Sequence, residues 1–375
     1  ALALVISGSI FIPKGIDSYR ESHPFVTDAG KRFRTLSEAV LGNRGGEWIS
    51  IDHDGPIPIQ PMAWSGDLSI RAANGRLPFL VAHALSGNRP FWTGDGKLNL
   101  KGLGLQYVVG KETPPPFYVT SGSRTAIHNC RLTMKQVQDK VTPESDFRPL
   151  IELRAPGEVL LERSLVIGSE MTFLQLTHAA PAPTRITIRE NFFYSRAIVD
   201  LPFNDDSAGP IRIDLRNTGM QTSNSFMIRS PTETEPVRLP PMQFSAENNL
   251  FGTRHGVFLL SESLISGNGD QVSWFGRENL YMRAPFLQVE GSDLLVDGFS
   301  SDSSEWKQFY RGNEEESAKT SRWLIQFHQA VANDPSFTPL IKNPSLLLEP
   351  ETRANLDVKL LGPKGVIEKR AEQSE

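Results

Sequence analysis

The residues best suited to chemistry in this chain are two adjacent carboxylates and a histidine. Asn204-Asp205-Asp206 sets two acids side by side, and Arg254-His255-Gly256 supplies a base. Glycoside hydrolysis needs two carboxylates flanking one bond, so Asp205, Asp206 and His255 form the candidate catalytic set. The competing reading is local: Pro202 to Pro210 is a loop, where Asn and Asp serve turn chemistry. A second constellation is Arg189, Arg216 and Arg229, which recur along predicted strands. Such a stripe could supply a lyase base or hold an anionic sugar, because Arg pairs bidentately with carboxylates. The alternative is a row of solvated outward positions. Phe192, Phe193, Tyr194, Phe251, Trp274, Phe275 and Tyr281 could stack on pyranose faces or fill a core.

Other chemistries lack their residues. His128 and His255 have no partner at metal spacing, and Gly267-Asn268-Gly269-Asp270 is not repeated as a calcium nonapeptide would be. No metal and no cofactor is expected. Cys130 is the single cysteine, so an intrachain disulfide and a cysteine zinc site are both excluded, and a buried apolar role is expected. The chain has no nucleophile elbow, no P-loop, and no His-Arg-Asp or Asp-Phe-Gly kinase motif.

The elements that must carry these residues are short strands joined by polar corners. The corners read Ile127-His128-Asn129-Cys130-Arg131, Arg189-Glu190-Asn191-Phe192, Leu215-Arg216-Asn217-Thr218-Gly219 and Ala246-Glu247-Asn248-Asn249-Leu250, with an echo at Arg277-Glu278-Asn279-Leu280. Asn tolerates the left-handed backbone and bonds its own turn, so Asn129, Asn191, Asn217 and Asn248 are assigned as structural corners. Comparable strands start near Leu98, Ala126, Val159, Arg185, Ile211 and Met242, at spacings of roughly 26 to 33 residues, within the range of solenoids. No helical patterns intervene, which argues against a Rossmann sheet or a TIM barrel. Hairpin turns such as Asn-Gly are scarce in the repeat, which argues against a propeller or sandwich. Before the repeat, Thr35-Leu36-Ser37-Glu38 completes a capping box for a short helix, which Gly45-Gly46 ends.

The capping helix, the short rungs and the corner asparagines together resemble the right-handed parallel β-helix proteins of the pectin-lyase-like group, over roughly Phe33 to Val296. The resemblance implies an all-β solenoid whose corner asparagines form a ladder. Asp205-Asp206 resembles the paired Asp of polygalacturonase-type β-helix hydrolases. That family's Gly-His-Gly segment is met here by Arg254-His255-Gly256, with Arg in place of the first Gly. A narrower likeness lies in the apolar N-terminus, the degenerate rungs and Ser304-Glu305-Trp306-Lys307-Gln308-Phe309-Tyr310. These look like the extracytoplasmic C-terminal region of some bacterial membrane-anchored serine/threonine kinases.

Bulk properties agree with a folded, globular chain. The chain has 375 residues, 39% hydrophobic and 22% charged, enough for a large core. A net charge of −4 provides no global basic field for nucleic acid. Residues 1–12, ALALVISGSIFI, read as the trailing half of a transmembrane helix or signal anchor, or else as a buried strand. Residues 13–32 read as a linker, 33–296 as the β-helix, 297–350 as a helical appendage with Ser303 or Ser304 and Thr320 as caps, and 351–375 as a charged tail. The expected function is non-catalytic binding or sensing of glycan or envelope material by a monomeric domain tethered to a membrane at its N-terminus. The alternatives are a polysaccharide lyase or glycoside hydrolase, and a structural spacer.

Overall fold

The computed structural model describes residues 14–296 apart from 44, 85–88, 111–113, 137–148, 156, 178–181, 203–208, 231–238, 262–263, 265–270, 278, 283–286 and 291–294, together with 315–316 and 319–321. The chain winds into a parallel β-helix of about 7 turns. One face is a 12-stranded sheet. A 16-stranded sheet wraps the other two faces. In the early turns those two faces are separate strands: Gly104–Val109 and Arg131–Gln136 on one, Tyr118–Thr120 and Pro149–Leu153 on the other. At Leu165–Leu176 the two legs fuse. Its first half pairs with Arg131–Gln136 and its second half with Pro149–Leu153. The later turns, Phe192–Pro202, Gly219–Arg229 and Leu250–Ser261, keep this continuous form.

Parallel register places like over like. On the first face Ile49, Ile70, Leu100, Ile127, Leu161, Ile188 and Leu215 form one inward column. Each is at most 2% exposed. Burying one such side chain contributes about 1.5–3 kcal/mol, and stacking lets each turn bury what it could not bury alone. A neighbouring column changes from Val159, Ile186 and Ile213 to Phe244 and Trp274. There Phe226, Phe244, Phe258 and Trp274 interlock with ring centroids 4.9–6.2 Å apart. Most of the aromatic residues proposed for sugar contact therefore fill the bore: Phe193, Phe251 and Trp274 are 0% exposed. Phe275 instead faces outward at 45% exposure.

The corners use two consecutive residues with different tasks. The first holds a left-handed backbone: Gly102, Asn129, Arg163, Glu190, Asn217 and Asn248 all have φ between 48° and 70°. Its N–H donates to the next turn, as Glu190 N does to Arg216 O at 2.9 Å. The second points inward and forms the ladder. Cys130 N donates to Ser164 Oγ, Ser164 N to Asn191 Oδ1, Thr218 N to Asn249 Oδ1 and Asn249 N to Asn279 Oδ1, at 2.8–3.1 Å. The same asparagines return a bond through Nδ2 to Leu161 O, Leu215 O and Ala246 O. Asn129, Asn217 and Asn248 are thus the turning residues expected from the sequence. Asn191 is displaced by one position: it is a ladder residue, and Glu190 does the turning.

The N-terminal end departs from the expected linker. Lys14–Ser22 is a helix, and Phe25–Thr27 is already a strand, pairing antiparallel with Trp48–Ile51. Three residues are too short a run for alternation to declare itself, but Phe25 and Thr27 are both buried. Arg32 and Arg76 clasp Asp52 at 2.6 and 3.0 Å and hold its carboxyl below the usual range. The helix Leu36–Gly42 carries the full predicted capping box: Thr35 Oγ1 accepts from Glu38 N, and Glu38 Oε2 accepts from Thr35 N. At the other end, Thr320 lies in the strand Lys319–Ser321, paired with Tyr281, and does not cap a helix. Backbone continuity from the last turns overrides its capping preference. Glu315–Glu316 is likewise a strand, paired with Gly276 and Arg277, and the rest of the predicted appendage and the tail lie outside the described residues.

The first strand of the second sheet, Gly55–Pro58, has its own edge chemistry. Gly55 N and Ile59 N donate to Leu77 O and Val81 O of the next turn. Alternation then points the intervening nitrogens, those of Pro56 and Pro58, at the open side. Proline has no N–H, so this edge offers no donors to an added strand. Replacing both prolines with alanine is expected to expose a donor row and increase self-association, measured by sedimentation velocity. For the ladder, Asn249→Ala orphans Thr218 N and Leu215 O and is expected to cost about 3 kcal/mol, two buried groups at 1–3 kcal/mol each, read by urea denaturation.

Candidate functional site

The outward positions of the first sheet form three columns. The column next to the left-handed corners runs Lys101, His128, Glu162, Arg189, Arg216, Glu247 and Arg277. Complementary polar groups meet along it, with His128 Nδ1 3.0 Å from Glu162 and the guanidinium of Arg216 3.6 Å from the Glu247 carboxylate. Arg189 and Arg216 are therefore neighbours on an exposed charge ladder. Arg229 is elsewhere. It ends the strand Gly219–Arg229 in the other sheet and grips Asp200 with Nε at 2.9 Å and a second N–H. Asp200 is 1% exposed and also accepts from Gln175 Nε2 at 2.8 Å. The predicted arginine stripe thus divides into a surface pair and one structural anchor.

Of the candidate acid–base residues, His255 is described and is not on this face. His255 sits where Leu250–Ser261 bends between the second and third faces. Burial, with the charges of Arg254 and Arg196 beside it, holds its imidazole below the usual value, so it is neutral at neutral pH. Asp205 and Asp206, and the Gly267–Asp270 run, lie outside the described residues. Cys130 is inert: burial pushes its thiol up to about 12, and Sγ donates to His128 O. Among the described residues no group of His, Cys, Asp and Glu could hold a metal ion, and no helix is long and apolar enough to cross a membrane.

The first sheet carries an open groove of about 820 Å³ along the opposite ends of its strands. Its position follows from the corner chemistry. In the early turns this corner is built from Gly66, Gly96, Gly122 and Gly157. A Cβ on Gly96 or Gly122 would lie 1.9 Å from the carbonyl oxygen of the turn before, so only glycine permits that approach. In the later turns Thr184, Ile211 and Met242 follow Gly157 in register, and the residue just before each is a proline: Pro183, Pro210 and Pro241 line the groove. Their carbonyls still accept ladder bonds, from Thr184 N and Ile211 N at 2.9 Å for Pro210 and Pro241.

The polar lining comes from the outward columns. Glu158, Arg185, Arg212, Gln243 and Ser273 stand one above another. Beside them Asp214, Ser245 and Phe275 form the middle column. Asp214 is 8% exposed and is covered by two guanidinium groups, with Arg185 at 3.2 Å and Arg212 at 3.2 Å. Both arginine side chains are 53% exposed, so their remaining N–H groups face solvent. Glu158 is matched by Arg124 at 3.5 Å.

Sequence reasoning singled out Arg189 and Arg216, which lie at the strand ends away from the groove, while Arg185 and Arg212 line it. Thr184–Arg189 and Ile211–Arg216 each present Arg at both outward ends. Period-two alternation treats those ends alike. The distinguishing signal is the proline just before each strand, at Pro183 and Pro210, which marks the end that opens into the groove. No protein-family model, curated protein or solved structure shows a significant match to the chain.

Arg229→Met leaves the Asp200 carboxylate buried without its cation and is expected to cost about 3–5 kcal/mol. Arg189→Gln and Arg216→Gln, on the exposed ladder, are each expected to stay within about 0.5 kcal/mol. Chemical denaturation of the three variants checks the contrast.

Proposed function

We propose that this chain is a non-catalytic binding module for an extended polysaccharide, which lies in the groove of the first sheet along the solenoid axis. One observation carries the reading: the groove crosses successive turns and offers one outward polar side chain per turn, then an exposed aromatic ring at Phe275. Turns repeat every ~4.8 Å, a step comparable to one pyranose unit of an extended chain. Hydroxyls can bond to Gln243, Ser273 and the arginines, and a sugar face can rest on the ring of Phe275. Among the described residues no pair of unpartnered carboxylates flanks the groove: Asp214 beside it is held by two arginines and Glu158 in it by a third.

The setting follows the same reading. The apolar run of residues 1–12 supports a membrane tether and an extracytoplasmic location. The likeness to pectin-lyase-like chains supports a glycan ligand. The likeness to kinase ectodomains supports a sensing role, in which the solenoid reports envelope material to a domain outside this chain.

Affinity electrophoresis and calorimetry against a panel of neutral and acidic polysaccharides test the reading. Retention by at least one is expected, with Phe275→Ala weakening it about tenfold, or about 1.4 kcal/mol, and no new reducing ends appearing. Failure to bind any member, or steady release of reducing ends, overturns it.

A further inference from the structure

We infer that the groove selects a largely neutral polysaccharide carrying an isolated monovalent oxyanion, with the anion seated on Arg185 and Arg212 and a neutral sugar face two turns away on Phe275. The inference rests on the polysaccharide reading of the groove and specifies its ligand.

Charge is distributed unevenly along the lining. At one end Arg124 and Glu158 neutralise each other at 3.5 Å. In the middle, two guanidinium groups share the single carboxylate of Asp214. Two cations against one anion leave one unit of positive charge, confined to adjacent turns because Arg185 and Arg212 are direct register partners. At the other end Gln243, Ser273 and Phe275 carry no charge. A chain charged at every residue would place carboxylates over Glu158 and over the neutral end, where nothing compensates their desolvation. A chain with one oxyanion meets a complementary fork, because Arg presents paired N–H donors in a plane that fits two oxygens.

Asp214 sharpens the selection. It is nearly buried and accepts from Arg212 through Nε and from Arg185 through an NH2 nitrogen. Both arginine side chains are thereby oriented before any ligand arrives, with their outer N–H groups presented to the groove. A ligand oxyanion then binds a preorganised pair, which reduces the ordering cost of two long side chains. The distance from this pair to Phe275 is set by backbone register. Asp214 pairs with Ser245 and Ser245 with Phe275, so the two features stand two turns apart, ~9–10 Å at the spacing of parallel strands.

The test compares three soluble polymers by calorimetry: hydroxyethyl cellulose, which is neutral; carboxymethyl cellulose of low substitution; and polygalacturonate, charged at every residue. A fourth, sparsely sulfated cellulose, separates a carboxylate from a sulfate as the source of the oxyanion. The sparsely charged polymers are expected to bind at least tenfold more tightly than the other two. The double variant Arg185→Gln/Arg212→Gln is expected to weaken their binding at least tenfold and to abolish their advantage over the neutral polymer. A cooperative thermal unfolding transition of the variant shows that it folds. Equal binding of neutral and sparsely charged polymers, or tightest binding of polygalacturonate, overturns this inference and leaves the polysaccharide reading standing. Binding to none of the four removes both.

Discussion

The structure depends on one constraint: each residue at a corner must sit directly over its counterpart in the next turn. The inward ladder of Ser164, Asn191, Thr218, Asn249 and Asn279 enforces this. Each asparagine side chain takes a backbone N–H from the turn before it and donates to a carbonyl of that same turn. These amide groups are buried, so every one of those backbone atoms would otherwise be stranded away from water. Registration at the corner fixes the phase of the flanking strands. A slip of one residue would turn every inward Ile and Leu to solvent. The hydrophobic columns supply most of the stabilisation, and the ladder decides which alignment they adopt.

That division of labour explains what the sequence reveals and what it conceals. The solenoid was legible because corner asparagines and alternating strands recur together. The two-residue grammar of the corner was not. Asn191 and Asn217 look equivalent in their motifs, yet one is a ladder residue and the other a turning residue. Glu190 and Arg163 adopt the left-handed backbone at a cost of about 1–2 kcal/mol each, and neither type advertises a turn. They accept it because the turns on either side over-determine the corner. They also face each other as an ion pair at 3.2 Å.

The groove was less legible than the fold for a related reason. Arg185, Arg189, Arg212 and Arg216 are indistinguishable by alternation, and what separates the two ends of a strand is the kind of corner each adjoins. Phe275 was visible as one aromatic among several, but its neighbour Trp274 points into the bore while Phe275 points out. Parity within a strand decides that, and parity requires knowing where the preceding corner ended. Arg229 misled in the opposite sense: a charge at a strand end suggested exposure, yet it serves the buried Asp200.

The change from glycine to proline along one corner has a consequence for how such a molecule could diversify. Where glycines stack, adjoining turns press so close that no side chain fits between them. Where Pro183, Pro210 and Pro241 follow, the corner supports a groove. The boundary between the two regimes therefore acts as the zero mark of a ruler graduated in turns. Insertion or loss of a whole proline turn would lengthen or shorten the groove by one graduation while preserving every ladder bond beside it. Ligand length and ligand charge could then change independently: one through the number of turns, the other through a single outward residue on each.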